Sequence, residues 1–207
     1  LEKKGFLLVD SGATYMDGTT DITRTYPLGP LTEDEKRFYT WTLQSHIDLA
    51  KAVWLDYCEC KMIDTIAREP LWRNLINYRC GTGHSVSFVG NVHEGPHALN
   101  SRNTTRMRPG MVVTDEPGVY ETDLVGIRIE NELVCIHKAD NQYGTFLGFE
   151  PLMFVPIATS PILPGVLDKD EIAWLNDYHR QVFAKLAPHL NDEERSWLAE
   201  KCAAIGC

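Results

Sequence analysis

The sequence has no run of about eighteen apolar residues, the length a helix needs to cross a bilayer, so no transmembrane helix is expected. Its start, Leu1-Glu2-Lys3-Lys4-Gly5, lacks both the apolar core of a secretory signal and an initiator methionine. It runs almost at once into a strand-like segment, and the expectation is a piece cut from a longer chain. Excess positive charge is also missing. There are 20 Lys+Arg against 29 Asp+Glu, a net charge of -9. Such an acidic surface repels nucleic-acid phosphates and anionic lipid, so neither a nucleic acid nor a membrane is expected as a partner. The six cysteines (Cys58, Cys60, Cys80, Cys135, Cys202 and Cys207) follow no regular framework. Reduced thiols in a cytoplasmic protein are the expectation. Cys58-Glu59-Cys60 is too short and too solitary for a zinc knuckle. A disordered composition is absent as well: 43% of residues are hydrophobic and 24% charged, enough to bury one sizeable core.

What is there reads as strands, then helices, then strands, then a helical tail: an α+β chain. Gly5 to Tyr15 and Thr20 to Tyr26 predict two strands around an Asp-Gly turn signal in Met16-Asp17-Gly18-Thr19. Thr32 with Glu35 three residues on has capping-box spacing, and Phe38, Trp41, Ile47, Ala50 and Val53/Trp54 continue a helical pattern. A second helix is expected over Met62 to Leu75. Cys80 to Gly95 reads as loop and short strand, and Arg108-Pro109-Gly110 as a turn. Met111 to Thr114, Gly126 to His137 and Thr145 to Phe154 read as strands. Asp168 and Asn191 are expected to cap two terminal helices. Trp41, Trp54 and Trp72 are placed in helices as core or interface anchors. His97 is read as a surface-loop residue, and His46, His137, His179 and His189 receive no role.

Four carboxylates sit where a chain usually buries backbone and apolar groups. Asp10 ends an apolar strand, Asp21 lies in a second, Glu116 follows Val112-Val113-Thr114, and Glu130 lies within Gly126-Ile127-Arg128-Ile129-Glu130. Each alone is better read as an edge acid facing water. Four together cannot be buried uncompensated: either they stay neutral or cations sit among them. Four negative charges balance two divalent ions. Carboxylate oxygens with one imidazole favour Mn2+, with Co2+ or Zn2+ as alternatives. The imidazole candidate is His84, among small residues in Gly81-Thr82-Gly83-His84. His93, in Asn91-Val92-His93-Glu94-Gly95-Pro96, is a candidate to polarise a substrate carbonyl or shuttle a proton. Arg128 shares a face with Glu130 and can support that carboxylate; Thr23 shares one with Asp21 and could hold it.

Taken in order, these motifs resemble the catalytic domain of aminopeptidase P (Xaa-Pro aminopeptidase) in the pita-bread metallopeptidase family M24. The segments are Val9-Asp10-Ser11-Gly12-Ala13, Thr20-Asp21-Ile22-Thr23, Gly81 to His84, Val92 to Pro96, Asp115-Glu116-Pro117-Gly118 and Gly126 to Asn131. The resemblance covers nearly the whole chain, and Phe149-Glu150-Pro151-Leu152 through His179 is similar to the long, multidomain form. It implies an incomplete pita-bread fold lacking its first part, with residues 1–160 as the metal-binding part and 161–207 as a helical extension. It further implies that Asp10 binds one metal and Asp21 bridges both. His84 and Glu116 would bind the other, Glu130 would bridge, and His93 would contact the substrate carbonyl. A homodimer and a peptide substrate with proline at its second position follow from the same resemblance. Three features depart from the family pattern: Ser85 and Ser87 stand where glycines are usual, Cys80 where a histidine is usual, and the chain starts just before Asp10.

The expected chemistry is hydrolysis of the amino-terminal Xaa-Pro bond by a water acidified between two ions about 3.5–4 Å apart. Glu116 would then accept and pass on the proton, and Arg128 would support the carboxylates. The alternatives are a prolidase-type dipeptidase and a non-catalytic peptide-binding module of the same fold.

Overall fold

The computed structural model describes residues 1–206. β1 (Phe6–Tyr15) and β2 (Gly18–Pro27) form an antiparallel hairpin closed by Met16 and Asp17. The Asp-Gly signal thus lies one residue off the loop, and Gly18 opens β2 at φ +152. Its register pairs Asp10 with Thr23 and Gly12 with Asp21. Residues paired directly, and residues two apart on one strand, share a face, so Asp10, Asp21 and Thr23 are set on the same side.

α1 (Glu33–Ala50) starts at Thr32 with a complete capping box to Glu35, as the spacing predicts. β3 (Val53–Leu55) follows and carries Trp54, so that residue sits in a strand rather than a helix. α2 covers Cys60–Trp72, ending three residues short of the expected Leu75, which takes φ +59. Trp72 closes the helix 45% exposed, so it anchors no core.

Short strands β4 (Gly83–His84) and β5 (Ala98–Leu99) pair with one another. β6 (Val112–Asp115) pairs with β9 (Asn131–Asn141), and β10 (Gly144–Pro151) completes a four-stranded sheet in the order β3-β10-β9-β6. β7 (Gly118–Glu121) and β8 (Val125–Arg128) make a separate hairpin. The long strand expected over Gly126 to His137 is therefore broken between Arg128 and Asn131. The cause is a change of partner: the Glu130 amide donates to the Thr23 carbonyl of β2 at 3.1 Å before β9 joins β6.

α3 (Lys169–Leu186) and α4 (Asp192–Lys201) are capped by Asp168 and Asn191, each with a full capping box. One apolar cluster packs α2 and the end of α1 on the four-stranded sheet, around Ile63, Leu133 and Leu147. A second joins α1, α3 and β8 through Leu43, Ile47, Ile127, Leu175 and Val182. The site lies where the hairpins meet that sheet.

Candidate metal centre

The hairpin β1–β2 brings Asp21 to the centre, and three further elements bring the rest. His84 ends β4. The chain can reach that position because Gly83 packs directly on β6: a Cβ there would meet the Thr114 carbonyl oxygen at 1.8 Å. Thr114 then organises two candidates at once. Its Oγ1 accepts from the His84 amide at 3.0 Å and donates to Glu116 Oε1 at 2.9 Å. The strand before His84 is tied to α2, because Thr82 Oγ1 donates to Asp64, whose other oxygen takes Arg68 Nε at 2.7 Å. Glu116 is held by its own amide, which donates to the Thr82 carbonyl at 2.7 Å.

Glu130 is buried and fixed from both sides. Thr23 Oγ1 donates to its Oε2 at 2.5 Å, so Thr23 holds Glu130 and not Asp21 as its face had suggested. Behind it, the buried Arg24 donates through Nη1 to the Glu130 carbonyl at 2.5 Å and through Nη2 to Asn131 Oδ1 at 2.8 Å and Tyr178 OH at 2.9 Å. Arg24 thereby ties β2 to the break between β8 and β9 and to α3.

Donor atoms of Asp21, His84 and Glu130 all lie within 4.8 Å of one another. His84 Nε2 is 3.1 Å from Glu116 Oε1 and 3.5 Å from Asp21 Oδ2. Asp10 stands at the rim with its side chain half-exposed, ion-paired to Arg128 Nη2. Arg128 also donates from Nε to Thr23 Oγ1 at 3.0 Å and from Nη1 to Tyr120 OH at 2.6 Å, and its Nε is 4.0 Å from Glu130 Oε2. His93 is exposed, with its ring centroid 3.9 Å from that of His84.

The electrostatics are those of a site short of positive charge. Burial alone would push His84 toward its neutral form, but hydrogen bonds to Asp21 and Glu116 outweigh it and lift its pKa to about 10. Burial, then the charges of Glu116 and Asp21, push the Glu130 carboxyl up to about 8 against the pull of Thr23 and Arg128. Burial likewise lifts Glu132, two residues on, to about 7. Divalent cations among these groups would remove the conflict and free His84 Nε2 as a neutral ligand, so the donor set fits metal ions.

Several expectations change here. His97 is buried, not on a surface loop, and its Nε2 is 2.7 Å from the Val112 carbonyl. His46 is buried against Asp115, and His179 Nε2 accepts from the Ile157 amide at 3.1 Å. Ser85 and Ser87 line a neighbouring cleft of about 700 Å³ together with Glu132, Phe88 and Met111, and the clustered donors are not part of that lining. The Cys80 thiol faces the Gly118 carbonyl, and burial raises its pKa. Thr114, Asp64, Arg24, Tyr120 and Glu132 carried no signal in the sequence, since each acts through a neighbour distant in the chain.

The profile of metallopeptidase family M24 matches residues 1–137, and that of the C-terminal region of peptidase M24 matches residues 145–205. The chain belongs to metallopeptidase family M24, and its fold is the α+β pita-bread type of that family. Among relatives, it is 42% identical to aminopeptidase P1 of Lotus japonicus over all of this chain and 32% of that protein. It superposes on the X-prolyl aminopeptidase of Caenorhabditis elegans, described as a cytosolic enzyme with a di-nuclear active site. There the TM-score is 0.91 and the identity 39%, over 97% of this chain and 34% of that one. The prolidase of Pyrococcus furiosus matches at a TM-score of 0.62 and 28% identity, over 72% of this chain and 41% of that one. The chain spans about a third of the length of the curated relatives it matches (32% and 34% for two of them).

Proposed function

We propose that the protein carrying this chain hydrolyses the amino-terminal Xaa-Pro bond of peptides. Asp10, Asp21, His84, Glu116 and Glu130 would hold two divalent ions, with manganese the preferred pair for this oxygen-rich set. When bound, the ions would supply Lewis-acid polarisation of the scissile carbonyl and an acidified water. The observation that carries the reading is the convergence of Asp21, His84 and Glu130, from three distant segments, to donor separations within 4.8 Å.

The chain's own residues have distinct tasks. His93, exposed beside His84, is free to donate to the substrate carbonyl as charge builds on its oxygen. Glu116 accepts a proton at its carboxylate and passes it to the proline nitrogen, which cannot leave as an anion. Thr114 keeps one Glu116 oxygen oriented for that task. Arg128 aims Asp10 and, through Thr23, Glu130. Residues 1–160 form the metal-binding part and 161–207 a helical extension, with α3 packed on α1 through the second apolar cluster. A homodimer and a cytoplasmic location belong to the same reading; the similar nematode enzyme is described as cytosolic. No helix among the described residues is long and apolar enough to cross a membrane.

The test is hydrolysis of an Xaa-Pro-Xaa tripeptide and an Xaa-Pro dipeptide by the full-length protein, with Mn2+ and after chelation. Metal-dependent release of the first residue from the tripeptide, lost in Glu116→Ala and Asp21→Ala, is the expected result. Cleavage of the dipeptide alone would favour the prolidase-type reading, and metal binding without any cleavage the peptide-binding one.

A further inference from the structure

His46 lies in the C-terminal part of α1 with its side chain fully buried, and Leu43 and Ile47 flank it in the core. An imidazole in such surroundings costs stability unless its nitrogens are met. Nε2 is met by a hydrogen bond and Nδ1 by a close polar contact, from the two members of one cross-strand pair. Asp115 and Asn131 face one another at the end of the β6–β9 ladder. His46 Nδ1 is 3.0 Å from Asp115 Oδ2, and Nε2 is 3.3 Å from Asn131 Nδ2. The ring packs edge-on against Trp174 of α3, at 5.8 Å between centroids.

The polarity of this chain of contacts is determined by its far end. Arg24 Nη2 and Tyr178 OH both donate to Asn131 Oδ1, at 2.8 and 3.2 Å. The amide nitrogen of Asn131 is therefore the atom turned toward His46, so Nε2 accepts and the ring proton sits on Nδ1, facing Asp115. The approach to Asp115 is off the N–H axis, a close polar contact more than an in-line hydrogen bond. Asp115 has no other partner among the described residues for either oxygen, and it is fully buried.

The chain neighbours of this pair are Glu116 and Glu130. Successive residues of an extended chain point to opposite sides. Asp115 and Asn131 therefore point back to α1, while Glu116 and Glu130 point forward to Asp21 and His84. We propose that His46 is a positioning residue for the metal centre, clamping from behind the cross-strand pair whose neighbours are two of the ligands. This rests on the metal-centre reading above. The clamp fixes the spacing of Glu116 and Glu130, two acids that repel one another before an ion arrives.

The test compares His46→Leu, His46→Asn and Asp115→Asn with the unaltered full-length protein. Mn2+ affinity is read by electron paramagnetic resonance, and the unfolding midpoint is measured without metal. His46→Leu leaves the buried Asp115 carboxylate and the Asn131 amide without their imidazole partner, so its metal-free midpoint is expected to fall while the chain still folds. It should weaken Mn2+ binding by roughly 10–100-fold, the usual effect of removing a ligand-orienting contact. His46→Asn, which restores a donor near Nδ1, should recover part of that loss. Should His46→Leu fail to fold, Asp115→Asn carries the test, and it too must weaken Mn2+. Unchanged Mn2+ affinity in these variants overturns the proposal. So does a loss that tracks the metal-free midpoint with no recovery in His46→Asn. Absence of Mn2+ binding in the unaltered protein would instead remove the metal centre itself.

Discussion

Thr23 serves two charged groups with one hydroxyl: it donates to Glu130 Oε2 and accepts from Arg128 Nε. Replacing it with valine keeps the shape and deletes both contacts, leaving a buried carboxylate without its donor. Thr23→Val should cost about 1–3 kcal/mol of stability, read as a lower denaturation midpoint, and should weaken metal binding as well. The titrating groups give a second expectation. His84 (about 10), Glu130 (about 8) and Glu132 (about 7) all hold their protons more tightly folded than their usual values of 6.5, 4.5 and 4.5. The folded state then binds more protons than the unfolded one, so stability falls as pH rises through those values. His179, lowered by burial to about 4 from 6.5, acts in the opposite sense, but only below about pH 6.5. The metal-free chain should therefore lose stability between pH 6.5 and 10, and Mn2+ should restore it increasingly over that range. Thermal melts across pH, with and without Mn2+, check this; a metal-free midpoint that rises over the range would contradict it.

Among the elements, β4 depends most on a single residue. Gly83→Ala would push a methyl into the Thr114 backbone, 1.8 Å away, where no flexible side chain can yield. It should cost at least about 1–3 kcal/mol and displace His84, so metal affinity should fall together with the melting midpoint. Thr32→Ala removes the cap of α1, far from the centre, and should cost about 1 kcal/mol with metal affinity unchanged. The capped helices were legible because capping boxes are local: Thr32 with Glu35 and Asn191 with Glu194 are each three residues apart. The hairpin that puts Asp10 beside Thr23 was legible for the same reason. The break at Glu130 was not, because its cause is the Thr23 carbonyl, more than a hundred residues away in the chain. Trp54 followed helical spacing past the end of α1, and only pairing with β10 makes its segment a strand.

For the molecule as a whole, three of the 29 acidic residues behind the net charge of -9 are withdrawn from the open surface. Asp21, Glu116 and Glu130 are gathered in one place with His84; Arg128 stands beside the Glu116 and Glu130 carboxylates and Arg24 holds the Glu130 carbonyl. The acids could be picked out in the sequence because charge stood inside apolar strand patterns. Their supports (Thr114, Asp64, His46 and Arg24) could not, because a polar residue that holds a neighbour looks like any other until the fold brings the two together. An assembly so poor in cations should tighten when divalent ions enter. The most direct measurement is anomalous diffraction at the manganese edge from crystals of the full-length protein grown with Mn2+. Two adjacent peaks enclosed by Asp10, Asp21, His84, Glu116 and Glu130 are predicted. No peak there, or manganese bound only elsewhere, would contradict the account.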